Sequence, residues 1–365
     1  MQKNRKRKLS APVALLIALV VCATAFFSAW LWKGNTAAGM GAKQVNANFV
    51  EAVSPLKEGF VYYNGTTLGY VTSSGKAQWT YMAGTDVQFS ASEYGIAVWK
   101  NKTLTLIDLD DGTIYYSVAQ AEDVISATVG PKYVAVAYGE AQNSKVMLLD
   151  SSGGFVKTLD FASRLILDCG FYSSGSYFWV LALETDGTVA STTVSTYKPS
   201  SQLISGSITD GSQITYDCFF LDGEIRCVGD TNLKVYDYSG NEISGRRELI
   251  YGWYLAAAED SSVDPVMVLI PDDAYKGASK IQDAMILTSA GKEFIRFQFG
   301  CDEVFVSNGV IYGFSSDYGC VMVTTPGSGK IVATPVSVQF DSVYGIVGGR
   351  AIVGQGGAIY LVDLN

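Results

Sequence analysis

The chain has 365 residues, 48% of them hydrophobic, and is rich in Tyr (22), Phe (17) and Gly (38) but poor in Pro (8). This composition is typical of many short strands joined by tight turns and does not favour a helical fold. The net charge is −9, and from Lys33 onward 21 positive residues stand against 35 negative ones, so we predict no nucleic-acid partner. Histidine is absent, which excludes Ser-His and Cys-His catalysis within this chain.

The N-terminus predicts a membrane anchor. Residues 1–8 contain five Lys or Arg and no acidic residue, and residues 9–32 carry no charge. A helix over residues 9–32, at about 1.5 Å per residue, exceeds the roughly 30 Å hydrocarbon core of a bilayer. The basic tail predicts a cytoplasmic N-terminus, which would put the remainder of the chain outside the cell membrane. The alternative is a cleaved signal peptide, but its apolar region is normally about 7–15 residues long and ends at a small-x-small site.

Residues 33–48 are small and polar and are predicted to form a short stalk. Their last part, Gln44–Asn48, is also a candidate β-strand, because the chain ends at Asn365 one strand short of a complete last repeat. Pairing of Gln44–Asn48 with the C-terminal strand would close a ring of repeats and remove both open edges.

From Phe49 onward, β-branched and aromatic runs alternate with turn dipeptides such as Asn64-Gly65 and Ser74-Gly75, a pattern that predicts hairpins. A period of about 40 residues is typical of propeller blades. We therefore predict an all-β fold, a propeller of four-stranded blades over residues 49–365. The predicted starts of the eight units are Phe49, Val87, Val124, Leu165, Ile214, Tyr251, Val304 and Val343. Seven blades with one irregular double unit is the alternative.

The first unit, with Val53-Ser54-Pro55, Gly59-Phe60-Val61-Tyr62 and Gly75-Lys76-Ala77-Gln78-Trp79, resembles the repeat of PQQ-like (quinoprotein-type) β-propellers. That group includes redox enzymes and a non-enzymatic lipoprotein of the bacterial outer-membrane assembly machinery. The arrangement of basic tail, single span and propeller also resembles single-pass propeller proteins of unknown function in Gram-positive bacteria. The resemblance implies a fold and carries no catalytic residue across.

No motif carries recognisable chemistry, so the sequence predicts no cofactor and no enzyme. The quinone-dependent relatives use a vicinal Cys pair, which this chain lacks. Asp110-Asp111-Gly112, Asp186-Gly187 and Asp222-Gly223 are interpreted as turns. Ser315–Gly319 fits the opening of an Asp-box turn as a single copy, and four arginines (Arg164, Arg226, Arg296 and Arg350) show no spacing that gathers them. Glycoside hydrolysis by two carboxylates that come from distant blades is an alternative that the sequence does not exclude.

Cys218 and Cys227 flank the two-residue turn Asp222-Gly223, so a hairpin would place them directly opposite each other in a non-hydrogen-bonded pair. This register makes them a candidate disulfide, with free thiols as the alternative. No partner is assigned to Cys169, Cys301 or Cys320, and Cys22 lies inside the predicted span.

One insertion departs from the regular blade pattern, residues Pro271–Asp283 between the second and third strands of the sixth unit. Such a loop emerges on the same propeller face as the connections between blades, a face used for binding partners. We predict Asp272, Asp273, Tyr275 and Lys276 as its exposed tip and as a candidate partner-binding loop.

Taken together, these features predict a membrane-anchored extracytoplasmic propeller that binds or scaffolds other envelope proteins. A ligand-sensing or polysaccharide-binding propeller, with aromatic side chains stacking on sugars, is the alternative, and an enzyme is a third possibility. Several carboxylates or arginines that converge on the axis would favour an enzyme, whereas an exposed aromatic patch on one face would favour a scaffold.

Overall fold

The computed structural model describes residues 39–140, 143–184, 189–201, 204–259 and 264–364. The residues of the predicted cytoplasmic tail, the predicted membrane helix, the first part of the predicted stalk and the predicted turn at Asp186-Gly187 lie outside these ranges. Within them, no helix is long and apolar enough to cross a membrane.

The described residues form eight four-stranded antiparallel sheets, so the prediction of eight blades is confirmed and the seven-blade alternative is wrong. Each blade is a meander of consecutive strands. Blade 1 comprises β2 (Ala52–Pro55), β3 (Gly59–Tyr63), β4 (Thr67–Thr72) and β5 (Ala77–Met82), and blade 2 comprises β6 (Gln88–Ser92), β7 (Gly95–Lys100), β8 (Thr103–Ile107) and β9 (Ile114–Ala119). Blade 3 comprises β10 (Val124–Val129), β11 (Tyr133–Glu140), β12 (Asn143–Asp150) and β13 (Phe155–Ala162), and blade 4 comprises β14 (Arg164–Tyr172), β15 (Tyr177–Glu184), β16 (Ser191–Tyr197) and β17 (Ile204–Asp210).

The second half of the ring follows the same plan, except that blade 8 takes its fourth strand from the N-terminal side. Blade 5 comprises β18 (Thr215–Leu221), β19 (Glu224–Gly229), β20 (Asn232–Tyr236) and β21 (Glu248–Leu249), and blade 6 comprises β22 (Trp253–Ala258), β23 (Met267–Pro271), β24 (Ile281–Thr288) and β25 (Gly291–Cys301). Blade 7 comprises β26 (Glu303–Ser307), β27 (Val310–Ser315), β28 (Cys320–Thr324) and β29 (Val332–Pro335), and blade 8 comprises β30 (Ser342–Val347), β31 (Arg350–Gln355), β32 (Ala358–Asp363) and the N-terminal β1 (Ala42–Asn48).

Ring closure occurs as the sequence predicts. Strand β1 pairs antiparallel with β32, with Ala42 opposite Val362 and Gln44 opposite Tyr360. The paired segment begins at Ala42, two residues before the predicted start, so this part of the chain is strand and not a free stalk. Pairing removes the open edge that the last blade would otherwise expose.

The core lies between the blades. The middle strands of each blade are buried on both faces, as in β3, where all five residues are buried. Eight apolar clusters occupy the described part of the chain, and each combines side chains from two adjacent blades. One of them joins blade 8 to blade 1, with Val45 packed among Phe60, Ile352 and Leu361. No blade buries its two faces alone, which is why the repeats require a closed ring.

Turn chemistry explains the aspartate and glycine that recur at the end of the third strand in blades 2, 3 and 5. In blade 3, the Asp150 carboxylate accepts the N–H groups of Ser152 and Gly154, both at 2.8 Å. Gly153 there has φ +85° and lies under the ring of Tyr116 of the preceding blade, so an added Cβ would come within 2.8 Å of that ring. The glycine therefore serves the turn and the packing between blades at once.

Candidate functional site

The insertion in blade 6 is an ordered turn between β23 and β24, the second and third strands of the blade, as predicted. It begins with one helical turn, α1 (Asp272–Tyr275), with two acidic residues at its N-terminal end, where the helix dipole favours negative charge. Gly277 follows with φ +70°, and the N–H of Ala278 donates to the carbonyl of Asp273 at 2.8 Å. In each blade, the loop between the second and third strands leaves the sheet at the same end as the link to the next blade. This turn therefore lies on the face of the ring that carries the links between blades.

The structure divides the four predicted tip residues into two groups. Asp273, Tyr275 and Lys276 are exposed, and Tyr275 has a relative exposure of 51%. Asp272 is half-buried, and its Oδ2 accepts a hydrogen bond from Lys276 Nζ at 2.6 Å. This hydrogen bond raises the pKa of Lys276. Asp272 therefore anchors the turn, whereas the other three residues remain available to a partner.

Tyr275 is held against the body by a neighbouring ring. Its ring stacks on Tyr254 of β22, with centroids 4.7 Å apart and planes 16° apart. Tyr254 in turn lies 6.3 Å from Tyr216 of blade 5, whose hydroxyl accepts the N–H of Leu255 at 3.0 Å. Stacked aromatic rings restrict each other, so Tyr275 is exposed but preorganised.

A cluster of charges links this turn to blade 7. Lys280 Nζ contacts Asp302, which lies between β25 and β26, and Asp317 Oδ2 at 3.4 Å. Asp302 also accepts the N–H of Ser316 at 2.7 Å. Burial opposes ionisation of Asp302, but the hydrogen bonds from Lys280 and Ser316 outweigh burial and lower its pKa. The hydrogen bond to Asp302 correspondingly raises the pKa of Lys280.

The turn between β27 and β28 adds a second exposed tyrosine. Tyr318 has a relative exposure of 61% and stacks on Phe299 with centroids 4.2 Å apart. We call residues 272–280 and 316–319 together the loop surface. The sequence predicts Ser315–Gly319 only as an Asp-box-like turn, whereas the structure joins this turn to the insertion through Lys280. No sequence signal could reveal that contact, because the two segments belong to different blades.

The register predicted for Cys218 and Cys227 is correct, since the two residues face each other across the hairpin of β18 and β19. Both are buried thiols with their Sγ atoms 3.8 Å apart. Their mutual hydrogen bond, followed by burial, raises the pKa of Cys218. The disulfide itself stays a prediction. Burial also raises the pKa of Cys169, to about 12, which makes its thiolate scarce at neutral pH.

The first strand of each propeller blade lies nearest the axis. In blades 4 and 5 these strands, β14 and β18, carry Asp168 and Asp217 at equivalent positions directly after a β-bulge. Each carboxylate accepts the N–H of the following residue at 2.7 Å. Burial raises the pKa of both groups, and Asp217 adds to the effect on Asp168. Among the described residues, no group of three or more Cys, Asp or Glu side chains is placed to hold a metal ion.

The four arginines noted in the sequence do not converge on the axis. Each pairs with a carboxylate of its own blade, and Arg226 also pairs with Asp264 of blade 6 at 3.3 Å. The pairs are Arg164–Glu184 at 3.7 Å, Arg226–Glu224 at 2.8 Å, Arg296–Asp283 at 3.6 Å and Arg350–Asp363 at 2.6 Å.

No family model and no curated protein matches the sequence. Solved structures with the same fold include BamB from Moraxella catarrhalis (TM-score 0.58, 10% identity, covering 89% of this chain and 99% of that chain). They also include the WD40 domain of SCAP from fission yeast (TM-score 0.58, 8% identity, covering 88% of this chain and 98% of that chain). A third is Saccharomyces cerevisiae Sqt1 (TM-score 0.59, 10% identity, covering 89% of this chain and 98% of that chain).

The likeness is one of fold. At identities of 8–10%, it places the chain among β-propellers that include BamB and WD40 proteins and transfers no residue role.

Proposed function

We propose that this protein is a membrane-anchored, extracytoplasmic β-propeller that binds other proteins of the cell envelope through the loop surface, and that it is not an enzyme. The observation that carries the proposal is the pair of exposed tyrosines, Tyr275 and Tyr318, each stacked on a ring of the body. Tyrosine is enriched among the residues that dominate binding energy at interfaces.

Preorganisation strengthens this interpretation. Ordering a side chain on binding costs about 0.5–1.5 kcal/mol, and a tyrosine already stacked on the body avoids much of that cost. The contacts of Lys280 with Asp302 and Asp317 fix the two turns relative to each other before a partner arrives. Asp273 and Lys276 are exposed beside Tyr275, which suits a partner with a central apolar contact and charged groups at its rim.

The N-terminal sequence supports the location. An uncharged stretch over residues 9–32 behind a basic tail is the pattern of a signal anchor with its N-terminus in the cytoplasm. Substitution Leu19→Arg at the middle of the span should cost about 2.5–3.5 kcal/mol of insertion free energy and reduce the carbonate-resistant membrane fraction. Mass spectrometry of the mature N-terminus separates a retained anchor from a cleaved signal peptide, and a mature chain that starts after residue 33 would contradict the anchor.

Site-specific photo-crosslinking tests the binding surface. A benzoylphenylalanine placed at position 275 or 318 of the full-length protein in native membranes should give the same crosslinked partner, identified by mass spectrometry. The matched control is position 94, where Tyr94 is also exposed, at 54%, but lies in the β6–β7 hairpin on the opposite face. Equal adducts from all three positions, or none from 275 and 318, would contradict the proposal.

A variant then measures the contribution of the tyrosines. Tyr275→Ala with Tyr318→Ala should reduce co-purification of that partner at least about tenfold, the effect expected of a hot-spot residue. Tyr94→Ala should leave it unchanged.

A further inference from the structure

A second candidate site lies on the opposite face, where blades 4 and 5 meet. It is a cavity of about 380 Å³ between the first hairpins of the two blades. This volume falls within the range of small-molecule sites, about 300–1,000 Å³. Its lining includes the aromatic rings of Tyr172, Tyr177, Phe220 and Tyr238, together with Ser173 and Asp222.

Four aromatic rings of the lining are nearly parallel. Tyr172 is central, and its ring centroid lies 4.4 Å from that of Phe220, 5.2 Å from that of Tyr177 and 6.0 Å from that of Tyr238. The angles between its ring plane and these three planes are 18°, 17° and 26° in the same order. Phe220 stacks further on Trp179 of the core at 5.4 Å. The rings thus form a rigid column that is continuous with the hydrophobic core.

The polar part of the lining consists mostly of hydroxyl groups. Ser173 and Ser205 are exposed, and Tyr238 donates its hydroxyl to the carbonyl of Leu221. Burial raises the pKa of Tyr172 to about 12, so its hydroxyl stays protonated as a donor. Asp222 adds one exposed carboxylate. No Lys or Arg of the described ranges lines the cavity, although Lys198 Nζ lies 5.7 Å from the ring centroid of Tyr177.

The hairpin beside the cavity is strained. Ser173 and Ser174 both have positive φ, at 52° and 54°, followed by Gly175 at 75°. Residues other than Gly and Asn rarely adopt this conformation, and such outliers concentrate at ligand-binding segments. Ser173 of this hairpin lines the cavity.

From this geometry we infer that the cavity between blades 4 and 5 binds a neutral carbohydrate. Aromatic surfaces provide apolar contact for the faces of a sugar ring, and Tyr, Ser and Thr hydroxyls can hydrogen-bond its hydroxyl groups. The Asp222 carboxylate accepts from sugar hydroxyls and disfavours an anion. An organic cation is the less suitable ligand, because a cation cage needs rings that face the charge from several sides, whereas these rings are nearly parallel. The site is separate from the loop surface and does not depend on the proposed function.

Binding is measured on the full-length protein in lipid nanodiscs, since sugar-based detergents would compete for the cavity. The probes are cellobiose, N,N′-diacetylchitobiose and maltotriose at millimolar concentration, with choline as the cation probe. Fluorescence and titration calorimetry follow the binding, and Trp179 is a local reporter because it packs on Phe220. At least one saccharide should bind saturably.

Two variants locate the site. Asp222→Asn removes the charge but keeps an Asn-Gly turn, which suits the same hairpin, and should weaken binding roughly tenfold, the effect of exchanging a charged hydrogen-bond acceptor for a neutral one. Tyr177→Leu should weaken binding several-fold. The matched control Tyr94→Leu changes an exposed tyrosine in the first hairpin of blade 2 and should leave the affinity unchanged. Absence of binding by all three saccharides, unchanged affinity in both variants, or binding of choline alone would overturn the inference.

Discussion

Closure of the ring by the N-terminal strand can be tested with one small substitution, Val45→Ala. Val45 lies in β1, has a relative exposure of 2%, and packs among side chains of blades 8 and 1 such as Phe60 and Leu361. Two carbon atoms are removed, and at about 0.8 kcal/mol for each buried carbon the transfer term is about 1.6 kcal/mol. The residual cavity adds to this cost, so we expect a loss of about 2–3 kcal/mol.

The assay is urea unfolding of the full-length protein, followed by tryptophan fluorescence and circular dichroism. Asn46→Ala is the matched control, because Asn46 is the exposed neighbour on the same strand and its substitution should change the free energy of unfolding by less than about 0.5 kcal/mol. Equal, small effects of the two substitutions would refute the reasoning, since they would mean that β1 is not packed between the last blade and the first.

Three further predictions concern blades 4 and 5. Lys234 and Asp210 form a buried ion pair of 2.7 Å between these blades, so Lys234→Met should cost about 3–5 kcal/mol in urea unfolding, and adding Asp210→Leu should recover part of this loss. Burial opposes ionisation of Asp210, but hydrogen bonds from Lys234 and Ser212 lower its pKa, so its stabilising contribution is present above the unfolded pKa of about 3.9 and is lost as the pH falls through the folded pKa. The wild-type free energy of unfolding should therefore decline more steeply below about pH 4 than that of Asp210→Asn, and parallel curves would contradict the assignment. If the compartment is oxidising, peptide mass spectrometry without reductant should find Cys218 linked to Cys227, whereas full alkylation of both thiols would reject the disulfide.

The loop surface and the cavity between blades 4 and 5 lie on opposite faces of the ring and are built from different parts of the blades. The loop surface is built from turns added to blades 6 and 7 and is fixed by the contacts of Lys280. The cavity between blades 4 and 5 is built from the ends of hairpins that belong to the four-stranded blades themselves, and its aromatic column reaches the core through Trp179. A partner and a small ligand could therefore bind independently on opposite faces.

Much of the fold could be predicted from the sequence because its determinants are local. Asn64-Gly65 and Asp222-Gly223 specify tight hairpins with strongly preferred turn residues, and the alternation of strands and turns gives the repeat length. The opposition of Cys218 and Cys227 follows from the turn length alone. The missing last strand points to pairing of the two ends, since an open edge would otherwise remain.

The candidate sites depend on contacts that no local pattern encodes. Lys280 meets Asp302 and Asp317 across two blades, and Asp272 turns inward to hold Lys276 although the sequence placed it at an exposed tip. Tyr172 and Phe220 lie 48 positions apart and meet only because curvature of the ring brings neighbouring hairpins together. The sequence by itself determined the strands, their turns and the repeat length, because these depend on residues a few positions apart, whereas the choice between eight and seven blades was decided by the eight sheets of the structure. Only the tertiary structure decided which side chains of adjacent blades meet, because that depends on how the blades pack around a common axis.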